Sequence, residues 1–484
     1  MRIQAIFLRC LLALMISVGA LAPSQAAPSP KNPSILKIGV AKTDITPPDL
    51  RSGQAKVWLA GFDTGRAATA IHDPLEARTF ILDDGHERIG YVVVDLIGLF
   101  YDDIDRIRQQ AASLSPKLDL LVISSTHNHN GPDMLGIWGR HHLVSGVSSS
   151  YMDFLEKQIL SSLKEANSHL VPVRLRAAQG AAPELMADTR EPIIKDDVFD
   201  VFQFSDASSG HVVATVVDWG NHPETLGSQN TVLTSDFPHY TRDRLEAIFG
   251  GRAIYVTSSV GGLMTTLEVH LKDSSGRPIP DCSFEKAEAI GNALADKMAQ
   301  ALKKSGEDLK DTRLSFQTKT IFIPMKNPLF RLMAYLRVIH RQTYGSDGLP
   351  VRWIVGEDVK SEVDLIHWGN KIEIATIPGE LFPELEKGLP ADFNPNQGPD
   401  HASPYVVPQW VDRFLTAPYK VVFGLANDEV GYIVPECDFV FGDAFGRHKS
   451  GHYEESVSLG PKTAPVILRA VEELARQDQQ RRVP

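Results

Sequence analysis

Leu118-Asp-Leu-Leu-Val-Ile-Ser-Ser-Thr-His127-Asn128-His129-Asn130-Gly131-Pro132 joins an aliphatic run directly to a polar, turn-forming segment. A short apolar run bounded by Gly and Pro reads as a buried or half-buried strand, and the two histidines fall just beyond its end. The same pattern recurs in Val212-Val-Ala-Thr-Val-Val-Asp-Trp-Gly-Asn-His222, Ala253-Ile-Tyr-Val-Thr-Ser-Ser-Val-Gly261, Lys371-Ile-Glu-Ile-Ala-Thr-Ile-Pro-Gly-Glu380 and Lys420-Val-Val-Phe-Gly-Leu-Ala-Asn-Asp-Glu-Val-Gly-Tyr432. Loops beyond strand ends are where a rigid scaffold displays reactive groups. Residues 151–166, 284–304 and 463–477 carry apolar side chains at threes and fours with charges between them, the pattern of surface helices. The sequence therefore predicts a mixed α and β fold, a layered β-sheet domain flanked by helices. It leaves open whether the sheet is parallel or antiparallel.

The balance of the chain fits that class. Its 484 residues are 43% hydrophobic and 23% charged, as in ordinary globular proteins. With 49 Lys and Arg against 60 Asp and Glu, a net charge of −11 repels nucleic acid and gives no general attraction to anionic lipid. Residues 1–26 read as a cleaved secretory signal: Arg2 and Arg9, an apolar run from Cys10 to Ala22, then small residues ahead of a cut after Ala26. That run is too short to span a bilayer, and no later stretch reaches the roughly 18 apolar residues a span needs. A secreted or periplasmic soluble protein is expected, with at most transient contact with a membrane surface. Residues 27–35 read as a flexible Pro/Ser tether and 36–484 as one domain, since no repeat or low-complexity linker divides them. Without the leader, Cys282 and Cys437 are the only cysteines, which allows one bridge at most.

In an extended segment residues i and i+2 face one way, so His127 and His129 can approach a common centre. His222, in Asn221-His222-Pro223-Glu224, stands at another strand end. A metal site needs three or four ligands from separate elements, and two cysteines cannot make a thiolate cage. Carboxylate or phenolate must complete it. Glu380 is the best-placed carboxylate, and Tyr432 follows Gly431, where the backbone can bend sharply. By itself each also suits an ordinary loop or core position.

Ala41-Lys42-Thr43-Asp44-Ile45-Thr46-Pro47-Pro48, Ser125-Thr126-His127-Asn128-His129-Asn130-Gly131-Pro132, Pro378-Gly379-Glu380, Gly431-Tyr432-Ile433-Val434, and His452-Tyr453-Glu454 with Gly460-Pro461-Lys462-Thr463 resemble, in order and rough spacing, the catalytic domain of neutral ceramidases. The resemblance runs over nearly all of residues 36–475. It implies a zinc amidase that cleaves an N-acyl lipid such as ceramide to an amine and a fatty acid, by water that one Zn²⁺ per chain activates. Carried over, it makes His127, His222, Glu380 and Tyr432 the metal ligands and His129 a general base or acid. It makes Arg190 a substrate-binding cation and Tyr453 a hydroxyl donor to the developing oxyanion.

Two departures qualify the transfer. Where the family has approximately Gly-Asp-Val-Ser-Pro-Asn, this chain has Gly261-Gly262-Leu263-Met264-Thr265-Thr266, so Met264 stands at the serine position. Thr265 would then substitute for the serine, or water act alone. The β-sandwich that follows the catalytic domain in full-length ceramidases is expected to be absent. Other readings stay open: hydrolysis of another amide, an ester or a lactone, or a non-catalytic binding descendant. A metallo-β-lactamase site expects an acid where Gly131 stands, and an amidohydrolase expects an eight-fold β/α pattern that is not seen.

Residues 328–340, Pro-Leu-Phe-Arg-Leu-Met-Ala-Tyr-Leu-Arg-Val-Ile-His, predict a helix apolar around most of its circumference, with Arg331, Arg337 and Arg341 at its margins. Such a helix is most simply buried in the core. In the functional alternative it walls an acyl pocket through Phe330 and Met333, the flexible thioether adapting to chain length.

Overall fold

In a computed structural model, residues 35–53, 55–351, 354–394, 405–407, 409–440 and 453–482 are described. The expected signal peptide, all of the tether but Ile35, and His452 lie outside them.

Two β-sheets lie face to face. The larger runs, edge to edge, through strands Arg252–Val256, Val212–Trp219, Val198–Asp206, Val171–Ala181, Lys37–Asp44, Glu76–Asp83, Arg88–Val94 and Leu120–Ser125. The smaller is built on the pairing of Leu314–Pro324 with Asp358–Trp368, continued by Ile372–Thr376 and Tyr419–Phe423. Both are mixed: antiparallel pairs predominate, but Arg88–Val94 with Leu120–Ser125, Val212–Trp219 with Arg252–Val256, and Ile372–Thr376 with Tyr419–Phe423 run parallel.

Alternation along the strands makes the layers. In Glu76–Asp83, Phe80 and Leu82 point to the space between the sheets while Ala77 and Ile81 point outward, as a period of two requires. Trp368 of the small sheet fills the middle of the sandwich, edge-on to Phe80, Tyr91, Phe202 and Phe204 of the large one, and donates its indole N–H to the Tyr91 hydroxyl at 2.8 Å. Losing such a ring costs about 3–5 kcal/mol. Helices Tyr101–Ala111 and Ser149–Ser168 cover one half of the outer face of the large sheet, and Phe237–Phe249 and Phe284–Ser305 the other. Helix Thr463–Arg482 packs Ile467, Leu468, Val471 and Leu474 on the outer face of the small sheet. The three helices expected from sequence form at Ser149–Ser168, Phe284–Ser305 and Thr463–Arg482, in a layered mixed α and β fold. Cys282 and Cys437 are both free thiols, so no bridge joins them. Among the described residues, no helix is long and apolar enough to cross a membrane.

The sheets are tied together where the parallel strands end. Asn427, in the left-handed region at φ 65°, donates its N–H to the Ile123 carbonyl at 2.7 Å and accepts the Ile123 N–H through Oδ1 at 3.2 Å. Gly424 N–H donates to the Thr257 carbonyl at 2.8 Å. The loops after Leu120–Ser125, Val212–Trp219, Arg252–Val256, Ile372–Thr376 and Tyr419–Phe423 therefore meet at one end of the sandwich.

Candidate metal centre

His127, His129 and His222 converge there. A ring nitrogen of each lies within 4.8 Å of the other two, and all three residues are buried. The convergence does not come from extended alternation, as the H-x-H spacing suggested. His127 sits at φ 64°, a conformation rare outside Gly that surrounding structure must hold. Main-chain bonds from Thr126 N–H to Val94 O at 2.9 Å, Asn128 N–H to Leu96 O at 3.0 Å and His129 N–H to Pro223 O at 3.1 Å hold it. The kink turns both rings inward.

His127 donates Nδ1–H to the Ile97 carbonyl at 2.9 Å, and His222 donates Nδ1–H to the Met264 carbonyl at 2.6 Å. These bonds fix the tautomer, leaving an Nε2 lone pair on each ring. Both Nε2 atoms face one carboxylate oxygen, Glu380 Oε2, each at 3.2 Å. Glu380 follows Gly379 and begins a two-residue strand paired in parallel with Tyr432–Ile433, so one bridge sets both residues. Gly431 is required beside it, because a Cβ there would come within 1.8 Å of the Val457 carbonyl oxygen. The Tyr432 hydroxyl meets that of Tyr453 at 3.0 Å.

Three lone pairs that converge in this way need a shared proton or a cation between them, and two imidazoles with a carboxylate suit Zn²⁺ or a similar divalent ion. The residues present thus fit a metal, with Tyr432 adjacent. Burial pushes the Glu380 pKa up, but His127 and His222 outweigh it and hold it down at about 2. Burial lowers the pKa of His222, yet the bond to Glu380 and the charge of Glu224 leave it above the ordinary value. His129 is held well below the ordinary histidine value, first by burial and then by the charges of His127, His222 and Arg66. Its Nδ1 lies 3.4 Å from Glu224 Oε2, and neither ring nitrogen has a hydrogen-bond partner among the described residues.

A cavity of about 220 Å³ opens from this cluster. His127, His129, Glu380, Tyr432 and Tyr453 line its polar end, and Phe62, Ile97, Phe100, Trp138, Phe330 and Ile339 its apolar walls. Tyr453 stands at the mouth, 48% exposed.

Of the residues singled out in the sequence, His127, His129, His222, Glu380, Tyr432 and Tyr453 come together, and Phe330 joins the wall. His222, Arg190, Met264, Thr265 and Met333 do not line the cavity. Arg190 is buried behind it: its guanidinium bonds Glu454 Oε2 at 2.7 Å, Asp438 Oδ2 at 2.8 Å and Glu455 Oε1 at 3.1 Å, and packs on the Phe382 ring. It anchors the residues around Tyr453 rather than facing the cavity. The Met264 side chain is fully buried in the core with Trp219 and Tyr255. Thr265 donates Oγ1–H to Glu224 Oε1 at 2.5 Å. Met333 packs one layer behind the wall, against Phe100 and Leu135.

The helix on which Phe330 and Met333 sit is shorter and less buried than expected. It spans Pro328–Tyr335, ends before Arg337 at φ 56°, and leaves Leu329, Leu332, Tyr335 and Leu336 exposed at 46%, 48%, 70% and 46%. Sequence reasoning missed Glu224 and Glu429. Both stand within quoted strand-end segments, and an acid beside a candidate ligand in an otherwise apolar or turn-forming stretch was the available signal.

No protein-family model matches the sequence. Among solved structures, the chain is similar to one described as a ceramidase complexed with C2, with TM-score 0.70, 16% identity, and coverage of 92% of this chain and 76% of that one. It is also similar to neutral ceramidase from Pseudomonas aeruginosa, with TM-score 0.68, 15% identity, and coverage of 93% and 75%. At such identity the likeness is one of architecture, and the chain has the neutral ceramidase fold.

Proposed function

We propose that the protein is a metal-dependent hydrolase of amide bonds in chain-bearing, lipid-like substrates, ceramidase-like in its chemistry, and that its N-terminal leader directs it to the periplasm or the exterior. The observation that carries this reading is the meeting of His127 Nε2, His222 Nε2 and Glu380 Oε2, with both Nδ1–H groups held by carbonyls, at the polar end of an apolar cavity.

His127, His222, Glu380 and Tyr432 would hold one Zn²⁺. Such an ion supplies Lewis acidity, polarising a carbonyl and acidifying water. The protein's own groups do the rest. His129, kept neutral by burial and its charged neighbours, takes a proton at Nε2 while Nδ1–H faces Glu224, and returns it to the leaving amine. Tyr453 offers its hydroxyl to the carbonyl oxygen as negative charge develops there. Its hydrogen bond with Tyr432 sets its position, and Arg190 fixes the segment that carries it. The apolar walls take the acyl or alkyl chain and keep water from it. Neither Met264 nor Thr265 lines the cavity, and the Thr265 hydroxyl is engaged by Glu224, which favours attack by water over attack by a side-chain hydroxyl.

The test is metal analysis of the purified protein together with hydrolysis of ceramides, N-acyl amino acids, esters and lactones, with and without chelator. About one equivalent of zinc and chelator-sensitive release of fatty acid from an N-acyl amide is the expected result. A metal-free protein, or turnover confined to esters or lactones, overturns the amidase reading.

A further inference from the structure

The apolar cavity contains a carboxylate that the metal cluster does not use. Glu429 lines it beside Ile97, Phe100, Phe330 and Ile339, and is 4% exposed. Its Oε1 accepts the Gly431 N–H at 2.8 Å. Its Oε2 has no hydrogen-bond partner among the described residues. The nearby cation is not directed at it: the Arg341 guanidinium pairs with the Asp428 carboxylate and donates to the main-chain carbonyl of Glu429 at 3.1 Å. The chain makes room for this side chain at Gly98, where a Cβ would come within 2.7 Å of Glu429 Cγ and 3.1 Å of Oε2.

A buried acceptor without a donor destabilises a fold, and a leucine in that place would line the cavity without that penalty. Native structures rarely strand such an atom unless a ligand or bound water completes it. A few polar groups in a mostly apolar pocket commonly orient what binds there.

We propose that Glu429 reads a hydrogen-bond donor carried on the chain of the substrate, a hydroxyl or an ammonium set into an otherwise apolar arm. This rests on the hydrolase reading and narrows it: the preferred substrate is a substituted chain rather than a plain hydrocarbon. A hydroxyl donates to Oε2, whereas an ammonium adds charge pairing, and a glutamine at this position separates the two. It keeps a carbonyl acceptor and cannot ionise.

The probes are anilides of octanoic acid and of its hydroxy and amino derivatives, the substituent moved along the chain one carbon at a time. The wild-type protein should favour at least one substituted chain over the plain one by about 10–100-fold in kcat/KM. Glu429→Leu should lose that preference. Glu429→Gln, which is isosteric, should keep a preference for hydroxyl and lose one for ammonium. Metal content should be equal in all three proteins. No preference at any position, or a preference that survives in Glu429→Leu, overturns the proposal and returns Glu429 to the role of anchoring a bound water. Loss of metal in Glu429→Gln overturns it too, by making Glu429 a ligand. If the wild-type protein cleaves no anilide, the amidase reading fails, and the melting-temperature shifts given by octanoic, hydroxyoctanoic and aminooctanoic acids decide the role of Glu429. Stabilisation by a substituted acid that Glu429→Leu abolishes supports it, and equal shifts overturn it.

Discussion

The Met264 carbonyl accepts two hydrogen bonds from His222, from Nδ1–H at 2.6 Å and from the main-chain N–H at 3.0 Å. The residue standing where the ceramidase pattern has a serine thus orients the His222 ring through its backbone, while its side chain is buried in the core. Met264→Leu should keep metal and activity within a few-fold, because the carbonyl stays in place. Met264→Ser should remove packing worth about 2–4 kcal/mol and bury a hydroxyl, without placing it in the cavity. Thermal melts and ceramide turnover check this: higher turnover in the serine variant would show that the side chain reaches the substrate after all.

Metal should stabilise the fold as well as enable chemistry, since an ion bound only by the native state shifts unfolding by mass action. Chelation should lower the melting temperature of the wild-type protein, and added Zn²⁺ should restore it. His127→Ala and Glu380→Ala should show neither response. A His127→Ala protein that still binds a full equivalent would remove His127 from the ligand set.

His129 and Glu224 form a pair that should act on rate rather than on metal. His129→Ala should keep its zinc and lose roughly 10²–10⁴ in kcat, the range for a lost general acid or base. Glu224→Gln should lose about ten-fold, because the imidazole remains but its orientation is less defined. The double variant should be no worse than His129→Ala alone, as for residues acting in one unit. Zinc loss in His129→Ala would instead make all three clustered imidazoles ligands.

The strand ends were legible because each reactive residue follows an apolar run that stops abruptly, so His127, His222, Glu380 and Tyr432 could be named before any fold was known. The path of the chain between His127 and His129 was not, because the left-handed turn at His127 depends on partners such as Val94, Leu96 and Pro223. Arg190 looked available for the same kind of reason. Its three carboxylate partners lie 248, 264 and 265 residues further along the chain, and no local pattern reports contacts at that distance. Glu429 was hidden in an apolar strand-end segment where periodicity says what is buried but not which polar atom is left without a partner.

Buried acids should give stability a definite slope with pH. Asp200, in strand Val198–Asp206, has its pKa pushed up to about 7 by burial, with Lys387 and Gln179 opposing and Glu386 and Asp412 adding. Its unfolded value is about 3.9, so the folded state holds the proton more tightly. The associated stability is fully present below about pH 4 and is lost as pH rises through about 7. Asp200→Asn should flatten the fall in melting temperature between about pH 5 and pH 8. An unchanged slope would show that Asp200 does not titrate in that window.

Phe330 and Met333 lie on one short helix yet should respond differently to truncation. Phe330 borders the cavity, so Phe330→Ala should enlarge it and move preference toward longer or bulkier chains. Met333 is 8% exposed and packs behind the wall, so Met333→Ala should cost about 2–5 kcal/mol in stability with chain-length preference little changed. The exposed ridge of Leu329, Leu332, Tyr335 and Leu336 on the same helix provides an internal control, since Leu332→Ala removes a side chain that is 48% exposed and should alter stability by much less. Chain-length profiles and thermal melts on the three variants test the assignment. A shifted profile in Met333→Ala, with Phe330→Ala unchanged, would mean that the chain runs behind the wall, between this helix and Phe100, rather than along the cavity that opens from the three histidines.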